Sequence, residues 1–498
     1  MITYVFKSLI EIEMNSHDAD EDSRVDIFIA INHFNDLVKM GSIREVIRYI
    51  RDKYDVNLFD VNGFTAIHHA VNVENLRMIK LLIQHGANYT ARSSNGNTVI
   101  MTAVMKGNLK IFEYIADLYE SRNPPVPLDA MCHVNQDNQT LLSMACSSGF
   151  ADMVRKLLRE GFDPCQADDY GFTSLHHALP AYGSIGFAHL PRRKSDRDNI
   201  VFMLLQSEKA RQYTSEKLVN MTDGSGNTAL HQACKVDTDP FDMVPIQNFM
   251  HPERPTRFVV PLERENIIKT LLDHGAYTSL KNLKGETALH VAAMNGANFL
   301  DILCDAGAKS NAQDSKGCTP FHLAIMYRPR EPGKSKRMIK SMQASDQTFK
   351  NSYLKIRNHK GRTPRLVAYT TTNYDVAKWS GLTQFLNEQD FEGDTALHWT
   401  SRIGAVEEVR WLVKNGVNFH RHNDKGPTPS DLAEICGCGE CVLLFNEKHQ
   451  ETQRRSLPFA MGKHEHLGEN YIIGLLPPEV IREVCKYVNG QRKGSNNI

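Results

Sequence analysis

The feature that most constrains the fold of this chain is a short pattern that recurs along it. Residues 284–307 show the pattern best: a polar turn containing Gly285 precedes two short helical stretches, and Gly307 ends the second. Glycine supplies the positive φ that such turns need, and the hydroxyl of Thr287 is suited to cap the first helix. Two helices this short cannot bury their apolar sides alone. The pattern therefore predicts neighbouring copies of itself.

Threonine residues mark ten such copies, at Thr65, Thr98, Thr140, Thr173, Thr228, Thr287, Thr319, Thr363, Thr395 and Thr428. Successive markers are separated by 33, 42, 33, 55, 59, 32, 44, 32 and 33 residues. A glycine stands two residues before every marker except at Asn138, and an alanine stands five residues after every marker except at Thr400. Ten copies that share glycine and alanine at the same offsets from the threonine are not expected by chance. The chain is therefore predicted to be built from repeats.

A histidine follows the marker by three residues in six copies, at His68, His176, His231, His290, His322 and His398. The stretch 319–324 reads T-P-F-H-L-A, close to the T-P-L-H-x-A motif that recurs every 33 residues in ankyrin repeats. From about residue 26 to 446 the chain thus resembles ankyrin-repeat proteins. The resemblance implies an all-α solenoid of roughly ten or eleven helix-turn-helix repeats with β-turn tips, plus a short C-terminal helical segment. In such hairpins the histidines are expected to tie adjacent turns by hydrogen bonds, not to act in catalysis.

The period divides the chain into three predicted parts. Residues 1–25 end in an acidic tract and are predicted to be a mobile N-terminal arm. Residues 26–446 form the repeat array, and 447–498 a C-terminal linker followed by an F-box-like or capping helix. Inserts interrupt the array near 119–136, 180–198, 235–263 and 327–350. Because loops this long are usually functional or disordered, both surface decoration and partner binding are open for them.

Composition indicates a cytoplasmic protein that binds neither nucleic acid nor a membrane. The 58 basic and 58 acidic side chains cancel, so no field gathers phosphates, and no run of 18 apolar residues is present. The ten cysteines are scattered, as expected for reduced thiols. Basic clusters at 192–197 and 334–337 are candidates for nuclear import, with ordinary solvated charge as the alternative.

Motifs for enzyme chemistry are absent from the sequence, including the P-loop, the G-x-S-x-G elbow, H-E-x-x-H and the kinase set. We therefore expect no catalytic residue, cofactor or metal. Cys436, Cys438 and Cys441 invite a zinc interpretation. Their C-x-C-x-x-C spacing lacks the second pair of a typical site, so a cysteine-rich turn without metal is favoured.

The predicted function is protein binding on the concave face that turn tips and first helices form in a solenoid. Candidate contacts are apolar or aromatic residues at the tips, where exposure to water is unfavourable, namely Phe64, Tyr170, Phe172 and Phe391. Aromatic side chains are enriched among binding hot spots. The alternative is that each ring packs against the adjacent turn.

The C-terminal segment differs from the repeats. Residues 476–481 read L-P-P-E-V-I and precede a short amphipathic stretch, which resembles the start of an F-box. An ankyrin array with such an end is similar to poxviral ankyrin proteins with a PRANC domain. That resemblance implies recruitment of a Skp-type adaptor and a cullin ubiquitin ligase. The candidate adaptor-binding residues are Leu476, Pro477, Glu479, Val480, Ile481, Val484 and Val488. Simple capping of the stack is the alternative, and an elongin-binding box matches only through Ile481 and Cys485.

Three functional hypotheses follow from the sequence. The first is a substrate-recognition adaptor of a cullin ubiquitin ligase. The second is an ankyrin scaffold or inhibitor that masks a signalling protein without recruiting a ligase. The third is a regulatory subunit of an enzyme encoded elsewhere.

Overall fold

The computed structural model describes residues 21–52, 54–121, 134–179, 196–207, 215–235, 261–295, 299–326, 339–340, 355–372, 374 and 386–460. The chain divides into two compact units, Met1–Tyr353 and Leu354–Ile498. Within the described residues the regular structure is helical, and isolated antiparallel bridges such as Arg92–Thr98 close some turns. The all-α repeat fold with β-turn tips is therefore confirmed.

The helices described in the first unit are α1 (Glu21–Met40), α2 (Ile43–Arg51), α3 (Ala66–Asn72), α4 (Leu76–Gln84), α5 (Val99–Lys106), α6 (Leu109–Glu120), α7 (Leu141–Ser148), α8 (Ala151–Arg159), α9 (Ser174–Ala178), α10 (Asp196–Gln206), α11 (Ser215–Asn220), α12 (Ala229–Cys234), α13 (Pro261–Asp273), α14 (Ala288–Met294), α15 (Leu300–Asp305) and α16 (Pro320–Met326). Helix α1 begins at Glu21, ahead of the repeat boundary predicted at residue 26.

The threonine markers and the glycines before them act as the sequence predicts. The threonines that are N-cap residues of a first helix include Thr65, Thr98, Thr140, Thr173, Thr228, Thr287, Thr363, Thr395 and Thr428. Thr319 makes the same contacts, with its hydroxyl 2.8 Å from His322 Nδ1. The preceding glycines have positive φ, as at Gly285 with 72°. Asn138, which replaces glycine in one copy, adopts φ of 60°. Asparagine adopts the left-handed backbone conformation more readily than most residues with a side chain. The repeat that has Asn138 in place of glycine therefore forms the same turn.

First helices pack beside first helices in this unit. Helices α3, α5, α7 and α9 contact one another in that order, and α12, α14 and α16 continue the row. Each buries a thin apolar side, as Ile67 and Ile100 do, while Leu82 and Phe112 are buried from the second helices. Helix α1 packs against α3 and buries Phe34 and Val38. No single pair of helices has a core of its own, so stability comes from the stacking.

The long inserts leave the row of turns continuous. The Gly224 N–H donates to the Tyr170 carbonyl at 2.7 Å, and the Leu283 N–H donates to the Ser225 carbonyl at 3.0 Å. Turns whose markers are 55 and 59 residues apart in sequence are therefore direct neighbours. The extra chain leaves after α9 or α12 and returns before α10 or α13, between the two helices of a repeat.

The second unit repeats this arrangement with α17 (Pro364–Thr370), α18 (Ala396–Ile403), α19 (Val406–Lys414), α20 (Pro429–Ile435) and α21 (Gly439–Ala460). Helices α17, α18 and α20 lie side by side, and α21 packs against α19 and α20. The Asp424 N–H donates to the Glu392 carbonyl at 3.0 Å, which joins successive turns here as well. Helix α21 continues past residue 446, where the sequence predicts a linker.

Turn-to-turn packing predicts that Gly285→Ala destabilises the protein more than Gly307→Ala. Both glycines lie in one repeat with φ of 72° and 84°, so alanine costs about 1–2 kcal/mol at either through backbone strain. A Cβ at Gly285 would lie 2.7 Å from the Ser315 nitrogen, whereas one at Gly307 meets nothing within 4 Å. We expect Gly285→Ala to lower the free energy of unfolding by about 2 kcal/mol more, measured by urea denaturation. Equal losses would show that the turns do not need this close approach.

Candidate protein-binding surface

Nine of the ten turns carry an aspartate or asparagine five positions before the threonine marker, and the Thr98 repeat has Ser93 there. In eight of these nine turns the Oδ1 accepts hydrogen bonds from the backbone N–H groups two and four residues later, at 2.7–3.1 Å. The eight residues are Asp60, Asn135, Asp168, Asp223, Asn282, Asp314, Asn358 and Asp390. The ninth, Asn423, accepts only from the Lys425 N–H, because residue 427 is proline and has no N–H. These residues were not predicted from the sequence, although their fixed offset from the marker was visible.

In four repeats the motif histidine joins its own turn to the next one. His68 Nδ1 accepts from the Thr65 backbone N–H at 3.3 Å, so the ring proton must reside on Nε2. That Nε2–H donates to the Asn97 carbonyl of the following turn at 3.3 Å. The same link runs from His176, His231 and His290 to the carbonyls of Asn227, Glu286 and Cys318, at 3.0–3.1 Å. These geometries match the structural role that the resemblance implies for the histidines.

Burial controls the protonation of these rings. It lowers the pKa of His68 to about 4, and it lowers the pKa of His176, His231, His290 and His398 as well. A neutral imidazole is the form that accepts through Nδ1 and donates through Nε2 at once. The rings are therefore suited to hold turns together at neutral pH.

In two repeats a second histidine supports the aspartate of the turn. His69 lies 2.7 Å from Asp60, and His177 lies 2.9 Å from Asp168. Burial alone would raise the pKa of Asp60, but hydrogen bonds from His69 and from the Phe64 N–H outweigh it and lower the pKa. The turn carboxylate thus stays ionised and keeps its backbone contacts.

Large apolar side chains are exposed at the tips of four turns. They occupy the third or fourth position before the marker and are Val61, Tyr170, Leu283 and Phe391, with exposed fractions of 67%, 60%, 78% and 66%. Tyr170 and Phe391 were predicted as contact residues from the sequence, and Val61 and Leu283 were not. Exposed apolar groups on ordered turns are the features that a protein partner would cover.

The other two predicted contacts lie differently. The rings of Phe64 and Phe172 are half-buried and meet the motif histidines of their own repeats edge-on. The centroid distance is 5.9 Å from Phe64 to His68 and 5.8 Å from Phe172 to His176. Both rings thus pack on a histidine of their own repeat, whereas the alternative offered by the sequence was packing against the adjacent turn.

Tyr170 and Leu283 flank a turn that carries almost no side chain. The turn between them in the row contains Gly224 and Ser225, whose backbone groups bond to Tyr170 on one side and to Leu283 on the other. The exposed side chains of Tyr170 and Leu283 therefore lie on either side of a turn made of small residues. We call this arrangement, formed by Tyr170, Gly224, Ser225 and Leu283, the tip notch.

In the second unit an indole is stacked between two guanidinium groups. The carbon centres of Arg362 and Arg402 lie 4.4 Å and 4.7 Å from the ring centroid of Trp399. Each arginine also contacts a buried carboxylate, Asp390 for the first at 3.2 Å and Asp394 for the second at 3.0 Å. The two arginine charges are thus balanced by carboxylates, so the cluster does not create a basic patch on the surface of α18.

Comparison with known families identifies these units. A family model for three copies of the ankyrin repeat matches residues 28–124 and 259–331, and a model for a single ankyrin repeat matches 137–169 and 392–424. The matched units are ankyrin repeats. Four markers, Thr173, Thr228, Thr363 and Thr428, lie outside the matched residues, but their turns share the same caps and positive-φ glycines.

Viral ankyrin repeat proteins are among the relatives in sequence. One from Acanthamoeba polyphaga mimivirus is 28% identical over 192 residues, which is 35% of this chain and 25% of that protein. A second mimivirus protein is 23% identical over 299 residues, covering 56% and 35%. One from fowlpox virus is 27% identical over 124 residues, covering 25% and 20%. The matches thus span about a third or less of these relatives, and they support ankyrin repeats as a protein-interaction fold.

Cysteines near the end of the ankyrin array do not assemble a metal site. Cys436 Sγ lies 3.2 Å from the Ser401 carbonyl, and Cys438 Sγ lies 2.9 Å from Cys441 Sγ. In the part of the chain that the structure describes, no three His, Cys, Asp or Glu side chains are grouped to hold a metal ion.

The predicted adaptor-binding residues Leu476, Pro477, Glu479, Val480, Ile481, Val484 and Val488 lie outside the described residues. The basic residues 192–195 and 334–337 lie outside them too. Across the ranges that the structure covers, none of the helices is long and apolar enough to cross a bilayer.

The lowered histidine pKa values predict loss of stability as pH falls from about 6.5 towards 4. Below pH 6.5 the histidines of the unfolded chain bind protons, whereas the buried rings of the folded chain stay neutral. Each ring therefore lowers the free energy of unfolding by up to about 1.4 kcal/mol for every pH unit of acidification. Above pH 6.5 this loss of stability is absent. The measurement is the urea midpoint across pH 4 to 8.

His290→Met provides the control, because Met101 occupies the same position in the Thr98 repeat and α5 still begins there. The variant should be less stable at pH 7 by about 1–2 kcal/mol through the lost hydrogen bond, yet its midpoint should fall less steeply with pH. An unchanged slope would contradict the assignment.

Proposed function

We propose that this chain is a non-enzymatic scaffold that binds another protein through its ankyrin turn tips. The observation that carries the proposal is the set of exposed apolar side chains on hydrogen-bonded turns, led by Leu283 and Tyr170. Leaving such groups in water is unfavourable, and covering a leucine side chain stabilises by roughly 1.5–3 kcal/mol. Because the turns are already ordered, little conformational entropy is lost when a partner covers them.

The tip notch is the strongest single candidate within this surface. Its floor is backbone at Gly224 and Ser225, and its walls are Tyr170 and Leu283. A partner that covers these three successive turns would contact both Tyr170 and Leu283. Hydrogen-bonding groups at the rim, such as the tyrosine hydroxyl, would add specificity.

We therefore expect the double variant Tyr170→Ala, Leu283→Ala to lose its partner. Affinity purification with the wild-type chain would identify bound proteins, and their affinity would then be measured with each variant. The expected loss is at least about 10-fold to 100-fold, as for truncation of a binding hot spot, with an unchanged melting temperature.

Met40→Ala is the matched control, because Met40 is 78% exposed, as Leu283 is, but lies at the end of α1 and away from the tips. Equal affinity of the double variant and the wild type would overturn the tip-notch proposal.

We further propose that the chain is a substrate-recognition adaptor whose C-terminal segment recruits a Skp-type adaptor and a cullin ubiquitin ligase. The support is the F-box-like stretch 476–481 together with similarity of the repeats to a fowlpox virus ankyrin repeat protein. In this arrangement the ankyrin repeats select the protein and the tail brings the ligase. We place the protein in the cytoplasm, where such ligases act.

Truncation separates the adaptor from a masking scaffold. Full-length chain should capture the Skp-type adaptor and cullin, and a 1–470 chain should lose them while keeping the partner bound at the tips. Capture of neither by the full-length chain, with partner binding intact, would favour a scaffold that masks a signalling protein. Co-purification of a catalytic chain would instead indicate a regulatory subunit.

A further inference from the structure

Two cysteine thiols lie close together where α20 passes into α21. Cys438 directly precedes α21, and its carbonyl accepts the Val442 N–H at 3.2 Å, the first hydrogen bond of that helix. Cys441 lies one turn further on, and the two sulfur atoms are 2.9 Å apart. Both cysteines are free. A disulfide has an S–S distance of about 2.0 Å, so the bond would form with a movement of only about 0.9 Å.

The backbone around Cys438 holds it in place. The Cys438 N–H donates to the Ala433 carbonyl at 3.0 Å, and Gly437 with φ of 75° ends α20. On the other side the Cys438 thiol faces the Gly404 carbonyl, at the end of α18, at 3.9 Å. Cys438 is therefore held by contacts with α20 and with the residue that ends α18.

The two thiols differ in access to reagents. Cys438 is half-buried and Cys441 is fully buried. Cys436, the third nearby thiol, is exposed, and its Sγ faces the carbonyls of Ser401 and Ala433 at 3.2 Å and 3.3 Å. A small disulfide in solution can thus reach Cys436 and Cys438 but not Cys441, and of these two accessible thiols Cys438 is the one whose sulfur lies 2.9 Å from Cys441.

We propose that Cys438 and Cys441 form a redox-active dithiol that is oxidised to an intramolecular disulfide by low-molecular-weight disulfides. The Cys438 thiolate attacks a sulfur of glutathione disulfide, which forms a mixed disulfide and releases one glutathione thiolate. Cys441 then loses its proton and attacks the Cys438 sulfur, and the second glutathione thiolate leaves. In sum, two protein thiols lose two electrons and two protons, and glutathione disulfide becomes two glutathione molecules.

The buried partner sets the rate of closure. Burial, together with contact with Cys438, raises the pKa of Cys441 to about 12. Only its thiolate attacks, so the second step should accelerate about tenfold per pH unit near neutrality. Cys438 is the attacking residue and Cys441 is the resolving residue.

The test uses the full chain, reduced and then exposed to glutathione disulfide, quenched with acid, alkylated and analysed by mass spectrometry. The expected product is a Cys438–Cys441 disulfide that is two hydrogens lighter, and its closure rate should rise about tenfold from pH 7 to pH 8. Cys436→Ser is the matched control and should close at the same rate. Cys441→Ala should instead keep one glutathione on Cys438.

Other products would overturn the proposal. A Cys436–Cys438 disulfide would show that a different pair reacts. Stable glutathione adducts on the wild-type chain without closure would show that Cys441 cannot resolve them. Cys438→Ser supplies a second check that does not alter the buried position, since Cys441 in that variant should resist alkylation in the folded chain. Rapid alkylation of Cys441 there would also contradict the proposed order of attack.

Discussion

A backbone hydrogen bond between successive turns is the interaction on which the rest of this structure depends. In seven described turns a turn N–H donates to a carbonyl of the turn before it, as Ser315 does to Lys284 at 3.0 Å. Between the Thr65 and Thr98 turns the Ser94 hydroxyl makes the link instead, donating to the Asn62 carbonyl at 2.6 Å. Backbone groups in a stack are shielded from water and must find such partners. Glycine at the turn permits the approach, and the histidine Nε2–H adds a second bond across the same gap. Helices then pack in rows because their first residues are already aligned.

This dependence explains why the array accepts long inserts. Neighbouring repeats must match at their turns and along their helix faces. The two longest inserts fall in the connection between the two helices of one repeat, and the turns on either side of them still bond to each other. The entropy cost of a longer closed loop grows only slowly with its length. Helices α9 and α12 can therefore lie side by side although their markers are 55 residues apart.

The same rigidity makes the tips suitable for binding. Aspartate and asparagine side chains fix each turn from within, so the residues between them project from an ordered backbone. Tyr170 and Leu283 are exposed on turns that cannot fold over them. Side chains on turns that hydrogen bonds already fix favour binding of a partner, because the conformational entropy of the turn has already been lost on folding. At the other end of the array the packing of α21 produces a different result, a pair of thiols in reach of each other.

The sequence by itself determined the repeats, their helix starts and their turns, because threonine caps and positive-φ glycines act within a few residues of where they stand. The aspartate or asparagine of each turn was equally local and could have been found at its fixed offset. Only the tertiary structure decided which tip side chains face water. Phe172 packs on a histidine while Tyr170, two residues earlier, is exposed. It also decided which turns meet across the inserts and which sulfurs approach, because those contacts depend on how neighbouring repeats stack and not on any one of them alone.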